Sequence, residues 1–375
     1  MRRNRLFWLL GAALATGLAV AAACDDDGGP GGDGEITLDE YDEAYIEALC
    51  SAVARCPAMG GDDLYFIVGG ATDASACVSR MRQALATGTV SMGALFQAAV
   101  DRGSGTWDGA LAADCFQLIR NAPCDDFISG ALDVEHQECA EMFHGNVAAG
   151  AACYLNIDCA DGWCDTSSAC PGTCVAYAAP GAACGAAAGG SRCGPGYDCG
   201  DADTCVASTV VTMLDVGQAC GDPDTECRHG LYCDERTSSC RAYLGAGAAC
   251  GEGTAECMPG MVCHPTDAVC SPVQFSATAG TPCGEGTTTL CDTLQNLFCH
   301  PSTRQCTRAP GDGEACLSLG LYNLCGVGLY CGADSVCHAK LADGAACEDD
   351  SWCRSGECRG TCRPLRESCD ITDIF

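Results

Sequence analysis

Apolar and polar positions follow two different rhythms along this chain. Between residues 36 and 148 the apolar residues recur with a helical period. Tyr41, Tyr45, Ile46, Leu49 and Val53 share one face. Thr37 and Glu40 form a capping-box pattern before them, with Ile36 and Tyr41 placed as its hydrophobic staple, and Pro57 stops the run. A second helix is predicted from about Asp73, with Val78, Met81 and Leu85 inward and Gly88 as its stop. A third follows Ser91, carries Leu95, Phe96 and Val100, and ends near Gly103. A fourth carries Leu111, Cys115, Leu118 and Ile119 and ends before Pro123. A fifth is predicted from about Asp133 to His144, capped by Gly145.

After residue 148 the helical period disappears and short apolar pairs alternate with turns. Seven cysteines, Cys153, Cys184, Cys220, Cys250, Cys283, Cys316 and Cys347, open seven units at steps of 31, 36, 30, 33, 33 and 31 residues. Each has a glycine three positions earlier: Gly150, Gly181, Gly217, Gly247, Gly280, Gly313 and Gly344. A near-fixed period with a fixed glycine is a repeat signature. The third cysteine often follows glycine and two apolar residues, as in "GLYC" at Gly230 and Gly328 and "GMVC" at Gly260. "NLFC" at Asn296 has the same form, because asparagine also tolerates a left-handed backbone. The pattern predicts a turn with positive φ followed by a short strand.

The 37 cysteines are nearly a tenth of the 375 residues, which marks a disulfide scaffold. Aromatics are only 6 %, so the repeats cannot build a large core and need covalent staples. Between residues 36 and 148, Cys50, Cys56, Cys77, Cys115, Cys124 and Cys139 allow internal pairing in fifteen arrangements. The units hold Cys153, Cys159, Cys164 and Cys170; Cys184, Cys193, Cys199 and Cys205; Cys220, Cys227, Cys233 and Cys240; and Cys250, Cys257, Cys263 and Cys270. They continue with Cys283, Cys291, Cys299 and Cys306; Cys316, Cys325, Cys331 and Cys337; and Cys347, Cys353, Cys358 and Cys362. Four cysteines allow three pairings, and first-to-third with second-to-fourth is the expected one. Each such bridge contributes roughly 3 kcal/mol in the chain-entropy model. Cys174 and Cys369 are left over, as local rearrangements or caps.

The chain opens with "MRRNRLFWLLGAALATGLAVAAAC": a basic start, an apolar run from Leu6 to Ala23, then small residues before Cys24. That is the layout of a secretory signal, and an uncleaved membrane helix is its competitor. "DDDGGPGGDG" follows, and its composition predicts a flexible tether. The net charge is −31, and without the three leader arginines the rest is more acidic still. Such a chain repels nucleic acid and anionic lipid.

Four resemblances follow from these residues. The small residues before Cys24 resemble a bacterial lipobox, with Ala21 where leucine is more usual. That resemblance implies that Cys24 is diacylated on its thiol and becomes the mature N-terminus. Asp25 resembles the inner-membrane retention signal of enteric bacteria, which leaves the membrane open; the outer membrane or cell surface is favoured. The unit from Cys220 to Cys240 resembles the N-terminal cysteine-rich domain of Dickkopf proteins, though those carry more cysteines per module. The whole layout is similar to cysteine-rich lipoproteins of myxobacteria, with a "GxVAAGAAC" junction from Gly145 to Cys153 and a "CPGTC" from Cys170 to Cys174. The resemblance implies an architecture and says almost nothing of activity.

The expected fold is therefore a small disulfide-rich repeat array of short β-hairpin modules, preceded by a disulfide-stapled all-α domain. Its parts are a signal peptide (1–23), a lipidated cysteine and acidic tether (24–35), a helical cysteine-bearing domain (36–148) and seven four-cysteine repeats (149–375). The modules are expected to project from the helical domain as a string.

Familiar chemistry is missing from the sequence. No C-x-x-C occurs, which removes zinc-ribbon, thioredoxin-like and c-type haem motifs. No G-x-S-x-G, H-E-x-x-H or P-loop appears. "GAGAAC" at Gly245 lacks the third glycine of a dinucleotide loop. His136 and His144 are eight residues apart on the last predicted helix, and His264, His300 and His338 each follow a repeat cysteine, but turn and surface positions explain them. No catalytic residue, metal ligand or cofactor is assigned. The expected role is a lipid-anchored envelope protein that binds an extracellular protein or glycan, or organises the envelope, with no nucleic-acid partner. A binding surface, if present, is expected at Tyr232, Val262, Phe298 and Tyr330, unless they fill the module cores. "VASTVVTML" from Val206 to Leu214 is a second candidate, or a docking segment. Two other readings stand beside these: an extracellular enzyme built on the helical domain, and a metal- or thiol-buffering protein.

Overall fold

The computed structural model describes residues 34–56, 73–86, 91–129, 131–134, 138–251, 253–284, 286–318 and 323–369. The leader, Cys24 and most of the tether lie outside the described residues, as do Pro57, Gly88 and His136. The protein is disulfide-rich, with short two-stranded ladders in small cysteine-rich units and a group of helices before them.

The helices are α1 (Tyr41–Arg55), α2 (Ala74–Ala86), α3 (Met92–Arg102), α4 (Gly109–Asn121) and the short α5 (Cys124–Ser129), α6 (Ala131–Val134) and α7 (Glu138–Glu141). Their starts follow local side-chain chemistry. Asp73 accepts the Ala76 amide (2.8 Å), Ser91 caps α3 through the Ala94 amide, and Asp108 accepts the amides of Ala110 and Leu111. Gly103 ends α3 at φ +73°. The capping box at Thr37 and Glu40 forms by half: Glu40 accepts the Thr37 amide and hydroxyl, at 3.0 and 2.8 Å. The hydroxyl donates instead of capping, so regular helix begins at Tyr41.

Tyr41 stands at the centre of this core. It meets Phe96, Trp107 and Phe116 edge-on at 5.3, 5.5 and 5.4 Å and stacks on Tyr45. Burial pushes both tyrosine hydroxyls up, Tyr41 far above the usual range. Ile46, Leu49, Met81 and Ile119 complete the cluster. Cys50–Cys77 ties α1 to α2, Cys56–Cys124 ties the end of α1 to α5, and Cys115–Cys139 ties α4 to α7.

The predicted fifth helix departs from expectation. Its span is divided among short helices and a strand, and the segment is not purely helical: β1 (Gly105–Trp107) pairs antiparallel with β2 (Phe143–Gly145). His144 is therefore on a strand, opposite Thr106. Phe143 stacks on Phe96 at 4.7 Å, which holds the strand against the core. Gly145 is no helix cap; a methyl there would meet the Cys159 carbonyl oxygen at 2.4 Å, so glycine admits the first repeat unit.

The seven units share one frame. The spacing glycines all have positive φ, from +76 to +88°. Each donates its amide to the carbonyl of the unit's last cysteine at 2.7–2.8 Å, from Gly150 to Cys174 through Gly344 to Cys362. That cysteine returns its own amide to the carbonyl just after the glycine, at 2.8–2.9 Å. The turn before the third cysteine is left-handed at Gly196, Gly230, Gly260, Asn296, Gly328 and Gly356. A hairpin follows, with the third and fourth cysteines opposite each other: Cys199 with Cys205, Cys233 with Cys240, Cys263 with Cys270, Cys299 with Cys306 and Cys331 with Cys337.

Opposed cysteines are not bonded to each other. First pairs with third and second with fourth in the last six units. The first unit corrects the sequence assignment. Cys153 bonds Cys164, but Cys159 bonds Cys174, and Cys170 bonds Cys369. The hairpin places Cys164 opposite Cys174, so Cys174 is the fourth cysteine and Cys170 lies in the loop.

Nor does the array project as a string. Units one, three, five and seven return to the helices. Arg102 of α3 pairs with Asp158, Asp125 of α5 with Arg228, and Arg80 of α2 with Asp292, each at 2.6 Å. Arg102 also donates to the Arg366 carbonyl at 2.9 Å. The Val206–Leu214 segment is a docking element: Val211 and Leu214 are buried, and the Val211 amide donates to Ser129. Cys170–Cys369 then joins the first unit to the tail of the last, with a sequence separation of 199.

Candidate functional site

The place where the array closes also holds a cleft of about 490 Å3, bordered by Arg102, Ser104, Tyr154, Asp158, Arg366 and Glu367. Three elements build it. The left-handed Gly103 ends α3 and presents Arg102 and Ser104. The 3-10 turn Asn156–Asp158 of the first unit supplies Asp158, and the turn Leu365–Glu367 supplies the third wall.

Asp158 is 1 % exposed and saturated. It accepts from Arg102 Nη2 and Ser104 Oγ, both at 2.6 Å, and from the amides of Tyr154 and Leu155 at 2.8 and 2.9 Å. The Arg102 guanidinium lies over the Tyr154 ring at 5.2 Å. Beneath them Leu95 of α3 packs on Leu155, with Met92 and Leu365 alongside. A carboxylate with four donors is a poor general base, and its charge is spent on a half-buried arginine. This arrangement fixes three elements to one another; it does not activate Ser104. Neither Arg102 nor Asp158 stood out in the sequence, because they are 56 residues apart.

The residues proposed as a binding surface fall elsewhere. Tyr232 is 8 % exposed, stacks on Tyr243 at 5.0 Å, and its hydroxyl accepts the Glu256 amide of the next unit at 3.0 Å. Tyr330 stacks on Trp352 of the next unit at 5.0 Å. Phe298 is half-buried beside His300, and of the four only Val262 is exposed. A positional rule connects these contacts. The residue before the third cysteine meets the residue before the second cysteine of the following unit: Trp163 under Arg192 at 4.4 Å, Tyr232 at Glu256, and Tyr330 at Trp352. They are joints between modules.

The three histidines that follow repeat cysteines make contacts local to their own hairpins. His264 Nδ1 accepts the Asp267 amide and His300 Nδ1 the Ser302 amide, both at 3.3 Å. Asp165 and Asp234 do the same at the equivalent positions of other units. His338 Nε2 lies 3.0 Å from both oxygens of Asp334 within its own hairpin. Several sulfur triplets, such as Cys153, Cys159 and Cys174, lie within 4.8 Å of one another. Their atoms are bridged, so they present no thiolate to a metal.

Asp234 carries the clearest electrostatic perturbation. Arg241 and Arg236, at 2.7 and 3.2 Å, hold its carboxyl well below the usual carboxylate range. Both arginines belong to the same hairpin, so this too is scaffold chemistry.

Compared with protein-family models, curated proteins and solved structures, the chain matches none. The disulfide load itself marks an exported protein that folds in an oxidising compartment. Among the described residues no helix is long and apolar enough to cross a membrane.

Proposed function

We propose that the protein is a lipid-anchored component of a bacterial cell envelope, with a binding or structural role toward an extracellular protein or glycan. One observation carries the reading. The eighteen bridges use every cysteine from Cys50 to Cys369, and the sequence holds one more, Cys24. That cysteine follows a basic, then apolar, then small-residue leader. An even scaffold with one extra cysteine at the export boundary is what a lipid-anchored head requires. The disulfide-stapled helices and the repeat units act together as the head, and the acidic segment after Cys24 spaces it from the membrane.

A structural or binding role suits the site chemistry better than catalysis. The Asp158 carboxylate of the closure cleft is saturated by Arg102, Ser104 and two amides, and His264, His300 and His338 serve their own hairpins. The test is the intact mass of detergent-extracted protein, alkylated without reduction. A lipid increment on a chain beginning at Cys24, with no alkylated cysteine, is the expected result. An attached leader, or a set of alkylating thiols, overturns it.

A further inference from the structure

The geometry points to Cys170–Cys369 as a redox clasp that fastens a C-terminal strap, residues 363–369, over an apolar patch of the helical segment. The strap has its own anchors. Leu365 covers Leu95 and Leu155. The Arg366 carbonyl accepts from Arg102, and the Cys369 amide donates to the buried Glu357 at 2.6 Å. Cys170 sits beside the strap, its sulfur 3.6 Å from the Glu367 carbonyl oxygen.

This bridge differs in kind from those of the units. Every unit has two bridges with sequence separations of 9 to 16. If one opens, the other and the glycine–cysteine backbone pair keep its thiols facing each other. Their effective concentration stays high and the bridge reforms. Two within-unit bridges, Cys220–Cys233 and Cys316–Cys331, have both ends half-buried like the clasp, but each has such a second bridge. Cys170 and Cys369 have no second bridge between them, so once parted they are held near only by the strap's few contacts.

The step balances with a dithiol reductant. One thiolate of the reductant attacks a clasp sulfur, giving a mixed disulfide and a free cysteine thiolate. The second thiol of the reductant displaces the other cysteine. Cys170 and Cys369 leave as two thiols, having gained two electrons and two protons, and the reductant becomes its disulfide. The strap then lifts, exposing Leu95 and Leu155 while all seven units stay folded.

The test is a dithiol titration of the full mature protein, read by differential alkylation with mass spectrometry and by amide hydrogen exchange. Cys170 and Cys369 should alkylate at a reductant concentration at least about tenfold below that for any unit cysteine. At that point exchange at the Glu367 and Ser368 amides should rise at least about tenfold, with the Gly247 and Gly313 amides unchanged. The Cys170→Ser/Cys369→Ser double variant should show the same exchange pattern without reductant. Unit cysteines that alkylate at the same dose overturn the clasp. A strap that keeps its protection in the double variant overturns the release.

Discussion

Tyr330 stacks on Trp352 across the joint between the sixth and seventh units, ring centroids 5.0 Å apart and planes 25° from parallel. The contact joins two modules that share no disulfide. An aromatic pair of this kind is worth about 0.5–1.5 kcal/mol beyond its buried area. The Leu341 amide, which donates to the Trp352 carbonyl at 2.7 Å across the same joint, reports on it directly. Tyr330→Ala should raise exchange at Leu341 by roughly tenfold, since about 1.4 kcal/mol is one decade. Unchanged exchange would mean that the joint is held by its backbone alone.

Two glycines separate backbone freedom from close approach. Gly247 has φ +76° and nothing within 4 Å of an added Cβ. Gly247→Ala should therefore cost only the left-handed penalty, about 1–2 kcal/mol. Gly247→Asn should cost less, as Asn296 already adopts φ +57° in this chain. Gly162 is extended, but an added Cβ would lie 2.2 Å from the Val175 carbonyl oxygen. Gly162→Ala should break the strand pairing that aligns Cys164 with Cys174. Refolding yield of the correctly bridged protein separates the cases: a small loss for Gly247→Ala and a large one for Gly162→Ala. Equal losses would contradict the steric assignment.

Local chemistry was readable in the sequence wherever it is periodic. The seven glycines, the left-handed turns and the starts near Asp73 and Ser91 follow from residue type and spacing. The pairing of the first unit was not readable. Cys164 to Cys170 is six residues, the same as Cys199 to Cys205 and Cys331 to Cys337, so spacing alone points to Cys170 and not Cys174 as the fourth cysteine. The joint positions needed only the repeats laid in register. The return of the array onto the helices was not readable. It depends on single charged pairs such as Arg80–Asp292, more than two hundred residues apart, in a chain with many carboxylates to choose from. Phe116, fully buried beside Tyr41, was passed over because Cys115 and Leu118 mark a neighbouring face of the same helix.

Asp158 should matter more than its partner. Removing Arg102 leaves the carboxylate with Ser104 and two amides, whereas removing Asp158 leaves the half-buried guanidinium with only the Arg366 carbonyl and frees the Ser104 hydroxyl and two amides together. Breaking a buried pair from the side that leaves an uncompensated charge costs about 3–5 kcal/mol. Asp158→Ala should approach that figure, and Arg102→Met, which keeps the apolar stem over Tyr154, should cost about 1–3 kcal/mol. Chemical denaturation of the two variants with all bridges intact gives the order. A costlier Arg102→Met would show that the cation, and not the carboxylate, organises the closure.

The third unit should lose stability in acid because of Asp234. Arg241 first, then Arg236, depress its folded-state pKa. A depressed carboxyl pKa stabilises the fold above the unfolded value near 3.9, and that contribution is lost as pH falls through the lower folded value. Asp234 should thus stay ionised in the folded hairpin at ~pH 3, where exposed carboxylates are largely protonated. Carboxyl NMR shifts followed through an acid titration show it directly. Exchange at the Asp234-to-Ser239 ladder should begin to rise as pH falls below the unfolded value of about 4 and go on rising toward the lower folded value, and Asp234→Asn should remove this acid-dependent step while leaving the neighbouring fourth unit unaffected. A carboxyl that titrates near pH 4, with both arginines present, would show that the exposed guanidinium groups leave the pair in solution.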